Sequence, residues 1–366
     1  SDLQMIGRLL PYINAHCKAV SLHGIIANAE DKFYELLRQI TVPIQEYHLN
    51  PDLVPNGIAT DQTTRPLMLE SLYTQRQLKS LQCYYSLGVS AFYERLPRTL
   101  TSFQFNAQYL NMPNNLTEFM KQCTALDTLD LRITGPFDVE WAIPDLFEYL
   151  VENKTITNLT LNCPNVDSVL GCLRLNTTLL KLRMYQQFGN DQTLLLPKYQ
   201  HEQTSNNIVN YTIQSLLLDT KRLSTVACNS PTDYFAGLHH LEIHLSSYYR
   251  DWIDTRLGQC QTLRTIKFGQ GTNSTILLNA VEKLATCGSL SMISFGYLSF
   301  EAKDMADNIV KCLDQCNSVS IIRIDESSLS NERLINAMRS SKVYKFHKRR
   351  QDIQYHHVYE RKIILT

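Results

Sequence analysis

Apolar residues recur along the chain in a short pattern in which positions i, i+3 and i+5 are apolar. The clearest copies begin at Leu263, Leu290 and Val319, and each follows a cysteine by three residues. Weaker copies extend the series, so that triplets begin at positions 17, 44, 78, 100, 126, 156, 179, 213, 238, 263, 290, 319 and 343. The intervals run from 22 to 34 residues, with a mean of about 27. This rhythm predicts a repeat protein with one short strand in each repeat.

Amphipathic runs, such as residues 30–40 and 143–152, occupy many of the intervals between the triplets and predict helices. Strands that alternate with helices at this spacing predict an α/β solenoid, a horseshoe with parallel strands on its concave face and helices on its convex side. Each repeat buries its apolar side against its neighbours, so 366 residues need not divide into separate cores. We predict a single domain, 1–366, with a capping helix (1–16), about thirteen repeats (17–348) and a C-terminal cap (349–366).

Two variants of the repeat resemble known families. Four copies have a cysteine three residues before the strand and resemble the cysteine-containing leucine-rich repeats of F-box substrate receptors: those with Cys123, Cys260, Cys287 and Cys316. Residues 150–161 and 175–182 have asparagine at that position and resemble the leucine-rich repeats of ribonuclease inhibitor. The first resemblance implies the substrate-recognition part of a ubiquitin-ligase receptor. No F-box helix bundle is visible in these residues, so ligase subunits would bind through a module outside this chain.

The position three residues before each strand also bears on the cellular compartment. Cysteine there indicates a small buried thiol. Asn153, Asn176 and Asn210 occupy the same position, and each begins an N-x-[ST] motif that could accept a glycan. Because they share the position of the cysteines, we interpret these asparagines as structural. The ten cysteines do not cluster at either end of the chain, where extracellular leucine-rich proteins carry disulfide caps. We therefore predict a reducing compartment, the cytoplasm or the nucleus. No apolar run approaches the ~20 residues of a membrane span, so no membrane association is expected.

Sequence motifs for catalysis or cofactor binding are absent. The chain has no phosphate-binding loop, dinucleotide glycine pattern or zinc-protease helix. Strand alternation directs His239, His240 and His244 outward, and Cys312 and Cys316 have no matching ligand pair nearby, which favours surface imidazoles and structural thiols over a metal site. We predict that the chain is not an enzyme and holds no metal or cofactor.

The outward-facing positions of the predicted strands favour binding instead. Neighbouring strands lie about 4.8 Å apart, so the residue between the second and third apolar positions and the residue after the third form two rows on the concave face. The first row runs from Ser21 to His347, and both rows contain arginine or tyrosine, which are enriched at binding hot spots. The candidate partner-binding residues are Asp130, Arg132, Arg183, Tyr185, Glu242, His244, Lys267 and Arg323, with Arg132, Arg183 and Tyr185 as the preferred hot spot.

Charge balance limits the classes of partner. The 35 basic and 35 acidic residues give no overall field that would attract nucleic acid or a membrane. The main hypothesis is a non-catalytic scaffold that binds a protein or peptide on the concave face. The alternative is a nucleic-acid-associated factor that uses the basic C-terminal segment, residues 342–350.

Overall fold

In a computed structural model of the chain, parallel strands follow one another with helices in several of the connections. The structure describes residues 2–25, 31–49, 75–84, 96–107, 115–133, 143–163, 166–186, 210–219, 236–244, 253–254, 257–269, 272–296, 298–299, 304–325, 331–351 and 354–361. The chain divides into two compact units, Ser1–Asn162 and Cys163–Thr366. No helix in the described ranges is long and apolar enough to cross a membrane.

The first unit begins with a helix and contains strands that pair in parallel in chain order. Its described helices are α1 (Asp2–His16), α2 (Asp31–Arg38), α3 (Asn115–Gln122) and α4 (Ile143–Glu152). Its strands are β1 (Val20–Ile25), β2 (Ile44–Leu49), β3 (Ser80–Tyr84), β4 (Ser102–Ala107), β5 (Thr128–Ile133) and β6 (Asn158–Cys163).

The second unit continues the same alternation and ends in a hairpin. Its described helices are α5 (Val166–Leu173), α6 (Ser274–Leu284), α7 (Met305–Gln315) and α8 (Asn331–Met338). Its strands are β7 (Lys181–Gln186), β8 (Ser215–Asp219), β9 (His240–Ile243), β10 (Thr265–Phe268), β11 (Thr272–Asn273), β12 (Met292–Phe295), β13 (Leu298–Ser299), β14 (Ile321–Asp325), β15 (Tyr344–Gln351) and β16 (Gln354–Arg361). The main sheet of this unit runs β7-β8-β9-β10-β12-β14-β16-β15, and β11 pairs with β13 separately.

Side-chain alternation along each strand separates the core from the open face of the sheet. In β10, Ile266 and Phe268 are buried, whereas Lys267 between them is exposed. Phe268 stacks on Phe295 of β12 with ring centroids 5.8 Å apart. Burying a side chain of this size contributes about 1.5–3 kcal/mol, so a repeated apolar face against the helices holds each unit together.

Asparagines close the turn before some strands. In the second unit, the side-chain oxygen Oδ1 of Asn176 accepts hydrogen bonds from the backbone N–H groups of Thr178 and Leu179, each at 2.7 Å. Asn210 Oδ1 likewise accepts hydrogen bonds from the backbone N–H groups of Thr212 and Ile213. Its Nδ2 donates to the backbone oxygen of Asn176, 2.5 Å away in the preceding repeat. Both asparagines are buried, which confirms the structural interpretation of these positions.

Cysteines close the corresponding turns of the later repeats by a different contact. The Cys287 thiol donates to the backbone oxygen of Cys260 at 2.9 Å, and the Ser289 hydroxyl donates to the same oxygen at 3.1 Å. In the next repeat, the Ser318 hydroxyl donates to the backbone oxygen of Cys287 at 2.7 Å. We call Asn176, Asn210, Cys260, Cys287 and Cys316 the turn row. All five are buried, and the three cysteines are free thiols.

The last two strands depart from the predicted parallel arrangement. The first predicted row placed His347 beside Arg323, but β16 lies between β14 and β15 and pairs antiparallel with both, so Val358 is the neighbour of Arg323. The contacts of β16 explain this order. Tyr359 is fully buried, and Arg361 donates from Nη1 to the backbone oxygen of Cys316 at 2.6 Å. Arg361 of the hairpin thus supplies a side-chain donor to the turn at Cys316. Residues 352–353 and 362–366 of the predicted cap lie outside the described residues.

The first strand also lies later than its predicted start at position 17. Helix α1 extends to His16, and the backbone N–H of Cys17 still bonds the oxygen of Ile13 at 3.0 Å. Strand β1 therefore begins at Val20, and register irregularities place His23, rather than Ser21, beside His48.

Candidate functional site

The strand register of the second unit places one predicted row side by side on the open face of its sheet. We call this the central row: Arg183, Leu217, Glu242, Lys267, Ser294 and Arg323. The side chains are exposed or half-buried, because they stand on the face opposite the buried leucines, isoleucines and phenylalanines. The row follows from the repeat, since each member occupies the same position of its triplet.

Charges in the central row are only partly paired. Lys267 Nζ lies 2.7 Å from Glu242 Oε1, so the structure brings together two of the predicted site residues as an ion pair. Arg183 is exposed and has no ion pair with any described residue. Arg323 is half-buried, and its Nε has no hydrogen-bond partner within the described part of the chain. The row therefore ends in an exposed arginine at position 183 and in a half-buried arginine at position 323, whose Nε the described residues leave unsatisfied.

The residue after each triplet forms a second row at the carboxyl ends of the strands. The His244 ring lies directly over Gly269, where a Cβ atom would come within 2.1 Å of it. A larger residue at position 269 would therefore have to displace the imidazole. Tyr185 is half-buried and lies beside Asp219 in the register. Both predicted site residues of this row in the second unit, Tyr185 and His244, are half-buried.

A third row was missed by the sequence analysis. It lies two residues before the central row and comprises Lys181, Ser215, His240, Thr265, Met292 and Ile321, which we call the amino row. Period-two alternation would have identified it, because residues i and i+2 of a strand share one face. The amino row adds a cation, an imidazole and two hydroxyl groups to the open face.

The surroundings of His240 show which groups carry positive charge near the amino row. Its Nδ1 and the Thr265 hydroxyl are within hydrogen-bond distance. Partial burial lowers the pKa of His240, and the positive charges of Arg264 and Lys181 lower that pKa further, together with the neighbouring His239. The imidazole is therefore neutral near pH 7, and the local potential comes from the lysine and the arginine.

Two charged pairs lie on the open face of the first unit among the residues that the structure describes. Arg132 donates from Nε and Nη2 to the two carboxylate oxygens of Asp130, both at 2.9 Å. His23 Nε2 lies 3.1 Å from Glu46 Oε2, and the Ser21 hydroxyl with this imidazole lowers the pKa of Glu46. Arg132, predicted as one of three hot-spot residues, is thus held in a bidentate pair within its own strand.

Metal chemistry finds no support in the described part of the chain, where no group of three histidine, cysteine, aspartate or glutamate side chains is placed to hold an ion. Burial raises the pKa of the Cys123 thiol to about 11 and that of Cys316 to about 12. These thiols are therefore protonated at physiological pH and are poor nucleophiles.

Taken together, the parallel strands, intervening helices and turn contacts define an α/β leucine-rich-repeat (LRR) solenoid fold. No model of a known protein family matches the sequence, and no curated protein matches it. Among solved structures, the chain is similar to an LRR protein of Leptospira interrogans, with 11% sequence identity over 89% of each chain and a TM-score of 0.35. The fold class rests on the register and contacts described above rather than on this similarity.

Proposed function

We propose that this chain is a non-catalytic interaction scaffold that binds a protein or peptide on the open face of its repeat sheet. The observation that carries the proposal is the contrast within the second unit between an apolar sheet face that is buried and an open face that presents Arg183, Tyr185 and Lys267. Arginine and tyrosine combine a large contact area with polar groups, which is why they are enriched at hot spots. Open faces of solenoids are commonly used for binding.

A capture experiment tests this proposal with one matched pair of variants. Tagged wild-type protein, Arg183→Glu and Arg333→Glu are each cross-linked in an extract of the native source and analysed by mass spectrometry. Arg333 is exposed on helix α8, so the control makes the same charge reversal away from the open face. We expect a set of proteins that wild type and the control capture and Arg183→Glu does not. The proposal fails if Arg183→Glu captures the same set, or if both variants lose it equally.

A finer form of the proposal is that the partner is a substrate of a ubiquitin ligase. It is supported by the resemblance of the Cys260, Cys287 and Cys316 repeats to those of F-box substrate receptors. If so, ubiquitin-ligase subunits co-purify with the full-length protein, and the half-life of captured partners lengthens when the protein is depleted. Unchanged partner half-lives would remove this form and leave the scaffold proposal in place.

The alternative function, nucleic-acid association, has one observation in its favour. Residues 342–350 overlap β15, a strand that pairs with β16 and carries Lys345, Lys348, Arg349 and Arg350. Lysine and arginine on a terminal strand also discourage edge-to-edge aggregation. A salt titration of RNA and DNA binding separates the two roles, because phosphate contacts make affinity fall steeply with salt.

A further inference from the structure

Three cations of the second unit lack a carboxylate partner. Lys181, Arg183 and Arg264 are exposed, and none forms an ion pair with the residues that the structure describes. Lys267 of the central row is instead neutralised by Glu242 at 2.7 Å. Exposed cations without an ion-pair partner indicate a surface that is complementary to negative charge from elsewhere.

The spacing of these cations suggests the shape of that negative charge. Lys181 lies on β7 and Arg264 immediately precedes β10, so three strand spacings, about 14 Å, separate them across the sheet. His240 lies between them and experiences the charges of both. Ser215 and Thr265 provide hydroxyl groups in the same row. The cations therefore form a strip that crosses the strands, with neutral hydrogen-bonding groups between them.

We propose that Lys181, Arg183, His240 and Arg264 bind an extended acidic protein segment that runs across the strands, with carboxylates four residues apart opposite Lys181 and Arg264. An extended chain advances about 3.3 Å per residue, so side chains at i and i+4 share one side and lie about 13 Å apart. This distance matches the separation of the two cations. The residue at i+2 faces the same side and meets Ser215 and His240. The inference rests on the proposed function and specifies the partner's chemistry.

A peptide fits this strip better than a nucleic acid does. The open face carries Glu242 as well as the cations, and a continuous phosphate backbone would place negative charge against that carboxylate. Each phosphate that a nucleic-acid-binding protein neutralises needs a lysine or arginine, and three cations can neutralise at most three phosphates. Separate carboxylates on an extended peptide can meet the cations and leave the region near Glu242 uncharged.

The test measures binding of defined probes to the full chain by fluorescence anisotropy at low salt. The first probe is a dye-labelled peptide of serine, threonine and glycine with two glutamates four residues apart. The second has glutamines in their place, the third has the glutamates adjacent, and the fourth is a single-stranded oligonucleotide. The Lys181→Gln/Arg264→Gln double variant is compared with Lys311→Gln/Arg333→Gln, which removes the same charge from exposed positions on α7 and α8.

We expect the spaced-glutamate peptide to bind at least about fivefold more tightly than the glutamine and adjacent-glutamate peptides. Each exposed ion pair adds only a small favourable binding free energy, and only the spaced peptide can form both pairs at once. The Lys181→Gln/Arg264→Gln variant should lose that advantage, while the helix control retains it, both with an unchanged melting temperature. Equal affinity for the glutamate and glutamine peptides overturns the proposal. So does an unaffected double variant, or binding of the oligonucleotide alone.

This result is separable from the fate of the proposed function. If Arg183→Glu abolishes partner capture but the spaced-glutamate peptide does not bind, the open face is a binding surface and only the acidic-segment inference falls. If neither Arg183→Glu nor the double variant affects capture, the proposed function falls with it.

Discussion

The turn row and the open face of the second unit both recur at fixed positions of the repeat, but their polar groups have opposite environments. In the turn row, Asn210 Oδ1 accepts two backbone N–H groups and its Nδ2 donates to the preceding repeat. On the open face, Lys181 and Arg183 are exposed and have no ion pair with the described residues. A buried polar group that loses its partner is costly, whereas an exposed one is not. The turn row should therefore determine stability, and the open face should determine binding.

The largest effect should follow from breaking the turn row at Asn210. Asn210→Ala leaves the backbone N–H groups of Thr212 and Ile213 without their acceptor in a buried turn. We expect the free energy of unfolding, measured by urea denaturation, to fall by about 3 kcal/mol. The control Gln315→Ala removes an exposed amide side chain at the end of α7 and should cost less than about 1 kcal/mol. Equal costs would show that the turn contacts are not what distinguishes this row.

Arg361→Ala should have the next largest effect on stability, because it removes the side-chain donor to the turn at Cys316. The guanidinium donates to the Cys316 oxygen at 2.6 Å, and hydrogen bonds to charged groups contribute about 1.5–3 kcal/mol. We expect a loss of about 2 kcal/mol in urea denaturation. Arg339→Ala, an exposed arginine after α8, serves as the control and should change stability by less than about 0.5 kcal/mol. An unchanged free energy of unfolding in Arg361→Ala would contradict the stabilising role of β16.

A smaller effect is expected at Cys287. Cys287→Ala removes a thiol donor to the Cys260 oxygen, but the Ser289 hydroxyl still donates to that oxygen. We therefore expect a loss of about 1 kcal/mol, measured as above. The double variant Cys287→Ala/Ser289→Ala removes both donors and should lose more than the sum of the two single variants, since only then does the Cys260 oxygen lose both of these hydrogen bonds. Strict additivity would argue against a shared acceptor.

The smallest stability effect should come from the open face itself. Arg183→Glu and Lys181→Gln/Arg264→Gln alter exposed side chains, so the free energy of unfolding should change by less than about 0.5 kcal/mol. A loss above about 1 kcal/mol would mean that these cations support the fold. These cations would then have a structural role and would not be available for binding a partner.

The sequence predicted the turn row and central row well because both repeat with the triplet. For example, the triplets starting at Leu263 and Leu290 lead into β10 and β12, which begin at Thr265 and Met292. Each buried leucine, isoleucine or phenylalanine fixes its neighbours by alternation, so one register error would have exposed a whole face.

The sequence did not predict features that depend on contacts outside the repeat. The insertion of β16 beside β14 depends on Tyr359 and Arg361, which lie in no triplet and satisfy groups of earlier repeats. The pairing of Arg132 with Asp130 depends on side-chain rotamers within one strand. Strand alternation alone would have predicted the amino row, but the two predicted rows cover only two positions of each triplet.

Site-specific photo-cross-linking tests the central claim most directly. A benzophenone amino acid replaces either Leu217, half-buried in the middle of the open face, or Lys311, exposed on α7, and captured proteins are identified after irradiation in an extract of the native source. The account predicts discrete partner cross-links from position 217 and none of the same partners from position 311. Cross-links to those partners from position 311 alone would contradict binding on the open face.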